Sequence, residues 1–221
     1  MARALILGAS GGIGAAITAA LRARGDDVVT LSRSVDGLDV TDQASVARHL
    51  GALGGTFDLI LVATGALEID GHGPEKALRQ LSPEGMLAQF RLNAMGPALI
   101  MAEAPRLMPR DRRAVLAVLS ARVGSIGDNG FGGWYSYRAA KAALNQFLRT
   151  ASIEIGRSHK RAICVALHPG TVATAFTEKY LGRHPAVTPG DAASRLVALI
   201  DGLGPEHTGG FFDYSGAVVP W

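Results

Sequence analysis

The run Ala4-Leu5-Ile6-Leu7-Gly8-Ala9-Ser10-Gly11-Gly12-Ile13-Gly14 decides how the rest of the chain is read. Four apolar residues in a row, with no polar alternation, predict a strand covered on both faces. The strand stops at Gly8, and the Ala-rich stretch 12–24 reads as a helix closed by Gly25. Glycines at this junction permit a tight turn and let backbone N–H groups approach a pyrophosphate, which then lies at the positive end of the helix. Gly14 lets the helix pack closely on the strand. Many glycine-rich loops are plain turns; the position between a first strand and a first helix is what favours a dinucleotide here. The spacing is G-x-x-x-G-x-G rather than G-x-G-x-x-G. No Lys-Ser or Lys-Thr follows, so the loop is not of the Walker type.

Working outward, Val28 to Leu31 is a second strand, and a short third one ends at Leu38-Asp39-Val40. Thr41 or Asp42 caps a helix over 43–53. Leu59 to Ala63 is a fourth, wholly apolar strand. A long helix over 83–104 is opened by Ser82-Pro83-Glu84. Ala114 to Leu119 and Ala162 to Leu167 are the fifth and sixth strands, flanking a helix over 134–156. A helix over 191–202 and a short seventh strand over 209–213 complete the chain. Strands alternating with helices predict an α/β fold: a mostly parallel, seven-stranded sheet with helices on both faces. No repeat, linker or low-complexity tract divides the 221 residues, which suit one domain over 1–221.

Composition narrows the function. With 48% hydrophobic and 19% charged residues the chain is not disordered, and its 28 Gly follow no collagen period. A net charge of +3 is a weak argument for nucleic acid; Arg106, Arg110, Arg112 and Arg113, with Asp111 among them, read as a solvated face. One Cys excludes an internal disulfide and any Cys-based zinc site, and Cys164 reads as a buried small hydrophobe. No two of the six His fall at metal-ligand spacing, so no metal is expected. No apolar run approaches a membrane span, and the start is too short in apolar residues for a signal peptide. The expectation is a cytoplasmic protein with neither nucleic-acid nor membrane partners.

Two further places carry chemistry. In Tyr137-Arg138-Ala139-Ala140-Lys141 the phenol and the ammonium sit at i and i+4 on one helix face. A free Tyr, with a pKa of about 10, is a poor base at neutral pH. A nearby cation favours the phenolate, so the pair can exchange a proton with an alcohol or carbonyl oxygen. Tyr135 has no such partner, because residue 139 is Ala. At the end of the second strand stands Leu31-Ser32-Arg33. An acidic residue there would bind the ribose hydroxyls of NAD, whereas a guanidinium suits the 2′-phosphate of NADP.

These features follow one another in the order of the short-chain dehydrogenase/reductase family, which the chain resembles from Gly8 to about Asp213. The stretch from Gly124 to Asn145, and the ending Phe211-Phe212-Asp213-Tyr214 through Pro220-Trp221, resemble its C-factor-like branch. The resemblance implies a doubly wound Rossmann domain and hydride transfer between NADP(H), with NAD the lesser candidate, and a small carbonyl or alcohol. It assigns Gly8, Ser10, Gly12, Ile13, Gly14, Ser32, Arg33, Asp39 and Val40 to the cofactor. Ala63, Thr64, Gly65, Pro169, Gly170, Val172 and Thr174 join them, as do Tyr137 and Lys141 through the nicotinamide ribose. It makes Tyr137 the acid/base and Lys141 its tuner, and Asn93 the holder of a relay water. The family's turn Asn-Asn-Ala-Gly is replaced by Val62-Ala63-Thr64-Gly65. The family's second serine after the fifth strand is replaced by Ala121, which leaves Ser120 and Ser125 as alternative sources of the polarising hydroxyl. His168 reads as a strand-end residue. The segment 174–190, with Tyr180, Arg183 and His184, corresponds to the substrate loop, and the two long helices to the surface of a homodimer or homotetramer. The alternative is a non-catalytic NAD(P)-binding sensor on the same fold. A methyltransferase would need neither Tyr137 nor Lys141.

Overall fold

A computed structural model describes residues 1–175, 177–180 and 186–221, Tyr180 by its backbone alone. Arg183, His184 and the Tyr180 side chain, named above in the substrate loop, lie outside the described residues.

The described residues form a six-stranded sheet of β1 (Arg3–Leu7), β2 (Asp27–Leu31), β3 (Leu59–Val62), β4 (Ala114–Leu119), β5 (Ala162–His168) and β6 (Phe211–Asp213). The order is β2-β1-β3-β4-β5-β6, and every pairing is parallel. The chain leaves β1 on one side for β2 and returns on the other side as β3. The carboxyl ends of β1 and β3 therefore flank the switch point at which open parallel sheets bind ligands.

The apolar strands are explained by two cores, one on each face. Ala4 and Ile6 of β1 pack towards α1 (Gly12–Ala23) and α7 (Pro189–Gly202), among Ile17, Leu21, Leu196 and Ile200. Leu5 and Leu7 point the other way, to a core that includes Val46, Ile100, Leu144 and Leu148. These come from α3 (Gln43–Gly51), α5 (Gly96–Leu107) and α6 (Tyr135–Ser158). With period-2 alternation and both faces covered, the central strands β3 and β4 carry apolar residues throughout, and polar ones stand at strand ends or on the edge strand β2.

Among the described residues six strands form, not seven. The expected strand at Leu38-Asp39-Val40 does not form, because polar side chains hold the backbone in turns. Ser32 caps the single helical turn α2 (Arg33–Asp36) by accepting from Val35 N, and Gly37 closes it in the left-handed region at φ 75°. Asp39 then accepts from both the backbone and the hydroxyl of Thr41, 2.8 and 2.7 Å away. An Asx turn of this kind competes with extended pairing. Leu38 and Val40 still enter the core as loop residues.

The long helix expected over 83–104 is one continuous rod with an interruption. α4 (Pro83–Phe90) runs into a π-helical turn, Arg91–Met95, and then into α5. Ser82 caps it through Gly85 N. Gly96 is required: a Cβ there would lie 2.8 Å from the Val40 side chain. Asp42 caps α3 through Ala44 N. Arg106, Arg112 and Arg113 tie neighbouring segments together. Arg106 donates to Leu50 O, Arg112 to Asp58, and Arg113 to Ile200 O.

Candidate active site

The glycine loop turns from β1 into α1 with Gly8 at φ 86°. A Cβ on Gly8 would lie 2.8 Å from the Ala63 carbonyl, and one on Gly12 2.6 Å from Thr174 Cγ2. The glycine loop thus meets the Ala63 backbone and the Thr174 side chain at distances that leave no room for a Cβ. α1 begins with Gly11 at its N-cap, with no capping side chain and no acidic residue in its first turn. Its positive end is thus left for an anion.

Two cavities run along the carboxyl ends of the strands. The larger, about 890 Å³, brings together Gly12, Ile13 and Gly14 with Ala63, Thr64, Gly65, Ser120, Tyr137 and Lys141. Pro169, Gly170, Val172 and Thr174 form its far wall. The smaller, about 610 Å³, is lined by Gly8, Ser10, Ser32, Arg33, Asp39 and Val40 and shares Ala63, Thr64 and Gly65 with the first. Every proposed cofactor residue therefore falls on one continuous stretch. Thr64 Oγ1, on the shared wall, is buried without a hydrogen-bond partner among the described residues. A buried hydroxyl of that kind is costly unless a ligand or water satisfies it. The residues fit an extended molecule with a phosphate at its middle.

α6 carries Tyr137 and Lys141 on its buried face. Lys141 Nζ donates to Leu119 O at 3.0 Å and lies 5.8 Å from the centre of the Tyr137 ring. Trp134 meets that ring edge-on, with centroids 6.1 Å apart. Burial pushes the Tyr137 phenol above its ordinary value and lowers the Lys141 ammonium to about 8. Desolvation thus outweighs the phenolate-favouring pull of the cation expected from the sequence.

Asn93 and Ser125 do not line either cavity. Asn93, fully buried on the π turn, accepts from Ala66 N and donates to Ala66 O and to Gln89 Oε1, fixing the loop after β3. Ser125 accepts from Asp128 N. Ser120 lies in the cavity wall, but its hydroxyl donates to Asn145 Oδ1. Ala121 stands beside it in the same wall. His168, the last residue of β5, also lines the cavity, and burial lowers its imidazole to about 4, keeping it neutral.

A family model described as enoyl-(acyl carrier protein) reductase matches residues 33–196, well over half of the chain. The chain is also 34% identical, over 236 aligned positions covering all of both sequences, to 1-hydroxy-2-glutathionyl-2-methyl-3-butene dehydrogenase of Rhodococcus sp. (strain AD45). The chain belongs to the short-chain dehydrogenase/reductase family. As a member of that family it is an oxidoreductase. It is 37% identical to the C-signal protein of Myxococcus xanthus over 149 residues, 66% of this chain and 84% of that one. Among solved structures, this short-chain dehydrogenase/reductase superposes on NADPH-bound carbonyl reductase from chicken fatty liver with a TM-score of 0.85. The identity is 21%, over 100% of this chain and 94% of that one. It superposes on a short-chain dehydrogenase/reductase from Burkholderia multivorans with bound NADP at a TM-score of 0.81, with 24% identity over 100% and 99% of the two chains.

Several residues around this family member's site were not singled out from sequence: Glu75, Gln89, Trp134, Arg138 and Asn145. Asn145 had a signal, since it lies one helical turn beyond Lys141 on the same face. Gln89 had one too, one helical turn before Asn93; Glu75, Trp134 and Arg138 act through contacts between separate segments that no spacing announces. Among the described residues no group of three or more His, Cys, Asp or Glu could hold a metal ion. Among those residues no helix is long and apolar enough to cross a membrane.

Proposed function

We propose that the chain transfers a hydride between NADP(H) and a small carbonyl or alcohol within a single domain. The observation that carries this reading is the meeting of Tyr137 and Lys141 with the positive end of α1 in one cavity. Ser10, Gly12, Ile13 and Gly14 would hold the pyrophosphate, with Arg33 on the 2′-phosphate and Asp39 and Val40 beside the adenine. Lys141 would hold the nicotinamide ribose, and Pro169, Gly170, Val172 and Thr174 the carboxamide and phosphate side. Structural neighbours solved with NADP and NADPH support a nicotinamide cofactor, and Arg33 on the cavity wall favours NADP over NAD. When bound, the nicotinamide supplies or accepts the hydride.

Tyr137 gives a proton to the substrate oxygen in reduction and takes it in oxidation. The burial that raises its phenol favours the protonated form, which suits carbonyl reduction at neutral pH. Lys141, ionised when it gains the ribose as partner, opposes that shift and replenishes the proton. Asn93 holds the loop after β3 through its side chain. Of the two serines, Ser120 is the one in the cavity wall, and in its present bond to Asn145 its proton is already given. Tyr137 therefore carries most of the polarisation of the carbonyl.

Tyr137→Phe is expected to abolish NADPH oxidation on every aldehyde and ketone while leaving NADPH binding intact. Turnover at the unaltered rate would overturn the assignment. The side chains of Met86, Leu87, Phe90, Phe147 and Ile153 are exposed on α4 and α6, and they support a homodimer or homotetramer. The single, buried Cys164 agrees with a cytoplasmic location.

A second reading, a non-catalytic NAD(P)-binding sensor, draws on Ala121, which offers the cavity no hydroxyl. Tight NADPH binding without oxidation on any member of a carbonyl panel would favour it.

A further inference from the structure

The catalytic helix α6 starts in an unusual way. Gly132, Gly133 and Trp134 stand one after another in the left-handed region, at φ 65°, 66° and 54°. For Trp, which carries a Cβ, that conformation is strained. Trp134 is the N-cap, and its side chain caps nothing. A 24-residue helix thus begins, one turn before Tyr137, without a local acceptor for its first N–H groups.

The acceptor comes from a distant loop. Glu75 is 8% exposed. Its carboxylate accepts from Ser136 N at 3.1 Å and from the Ser136 hydroxyl in a short contact. Its backbone carbonyl accepts from Trp134 N. One residue therefore takes three donors from the turn that aims Tyr137. From the other side, the Arg138 guanidinium donates to Gly132 O, Gly133 O and Val123 O. A buried carboxylate at a helix N-terminus is stabilised by the N–H groups and by the helix dipole.

We propose that Glu75 is a positioning residue for the acid/base: a remote cap that fixes the first turn of α6 and so the direction of the Tyr137 phenol. The inference rests on the reading of Tyr137 given above. Glu75 touches neither Tyr137 nor the reacting atoms. It acts through Ser136 and the strained Trp134, and a small misplacement of a catalytic group is enough to slow chemistry steeply.

The test compares Glu75→Ala, Glu75→Gln and Ser136→Ala with the unaltered protein. Three quantities are measured: backbone amide exchange over 132–140 without cofactor, NADPH affinity by fluorescence, and the kcat and KM of NADPH-driven reduction of 4-nitrobenzaldehyde. Glu75→Ala is expected to speed exchange in that segment at least tenfold and to lower kcat at least tenfold. KM and NADPH affinity should stay within threefold. Glu75→Gln, which keeps an acceptor oxygen, should recover most of both. If Glu75→Ala folds poorly, Ser136→Ala provides the same contrast at smaller amplitude. Unchanged exchange and unchanged kcat in Glu75→Ala would overturn the proposal, as would a fall in thermal stability with kcat of the folded protein intact. A Tyr137→Phe control separates the two ideas. If that variant is inactive while Glu75→Ala is fully active, only the role of Glu75 fails. If Tyr137→Phe is active, the reading of the site fails first.

Discussion

The Ser120 hydroxyl donates to Asn145 Oδ1 across 2.6 Å inside the protein. A hydroxyl has one proton to give, so Ser120 in this arrangement cannot also donate to a substrate carbonyl. Ser120→Ala is therefore expected to lower kcat less than tenfold, against a loss of 10² or more for Tyr137→Phe. Ala121→Ser, which adds a hydroxyl to the same wall, is expected to raise kcat. Steady-state reduction of an aldehyde series checks both, and a hundredfold loss in Ser120→Ala would put that side chain on the substrate.

The Lys141 ammonium gives a pH signature. Its folded value of about 8 lies below the ordinary 10.5 because burial strips it of water. Between those values the unfolded chain holds the proton and the folded one does not, so stability from this group rises with pH. Below about 8 both states are charged, and the penalty of the buried charge is fully present. Without cofactor, the melting temperature of the unaltered protein should therefore gain on that of Lys141→Met as pH climbs from 8 towards 10. A constant difference over that window would show that the ammonium is not desolvated. Comparison with the variant cancels the Tyr137 and Cys164 contributions, since burial raises both of those groups in either protein.

Arg33 lies on the wall of the smaller cavity with Ser32 and Asp39. Its charge helps to hold the Asp39 carboxyl below the ordinary range, after the larger effect of the Thr41 hydrogen bonds. A charge-assisted bond to a phosphate contributes roughly 1.5–3 kcal/mol, a factor of about 10 to 100. Arg33→Ala should raise KM for NADPH by that factor and leave KM for NADH nearly unchanged. Equal effects on the two cofactors would remove the 2′-phosphate from the reading.

Gly14 shows why the loop tolerates no side chain. A Cβ there would overlap the Gly8 carbonyl oxygen, which belongs to the turn itself. Gly14→Ala should destabilise the protein by roughly 1–3 kcal/mol in urea unfolding, since backbone must move. A stability within 0.5 kcal/mol or so of the unaltered protein would mean that the turn is pliant.

Much of this protein is written in local sequence. The all-apolar runs at 4–7, 59–62 and 114–119 read as strands buried on both faces, and Tyr137 with Lys141 declared a shared helix face by spacing alone. Those signals depend on neighbours three or four residues away, so the sequence by itself determined the parallel sheet, the glycine turn and the shared helix face of Tyr137 and Lys141. It misled at Leu38-Asp39-Val40, where an Asx turn at Asp39 removed a strand that the apolar residues suggested. Other features were decided only by tertiary contact. The partner of Ser120 is 25 residues away, the cap of α6 comes from Glu75 61 residues before Ser136, and Asn93 reaches the loop at Ala66 27 residues back. Which hydroxyl is free to donate, and which carboxylate ends a helix, depends on where distant segments come to rest. Hydrogen-bond partners are chosen in space, and the chain carries no periodicity that records them.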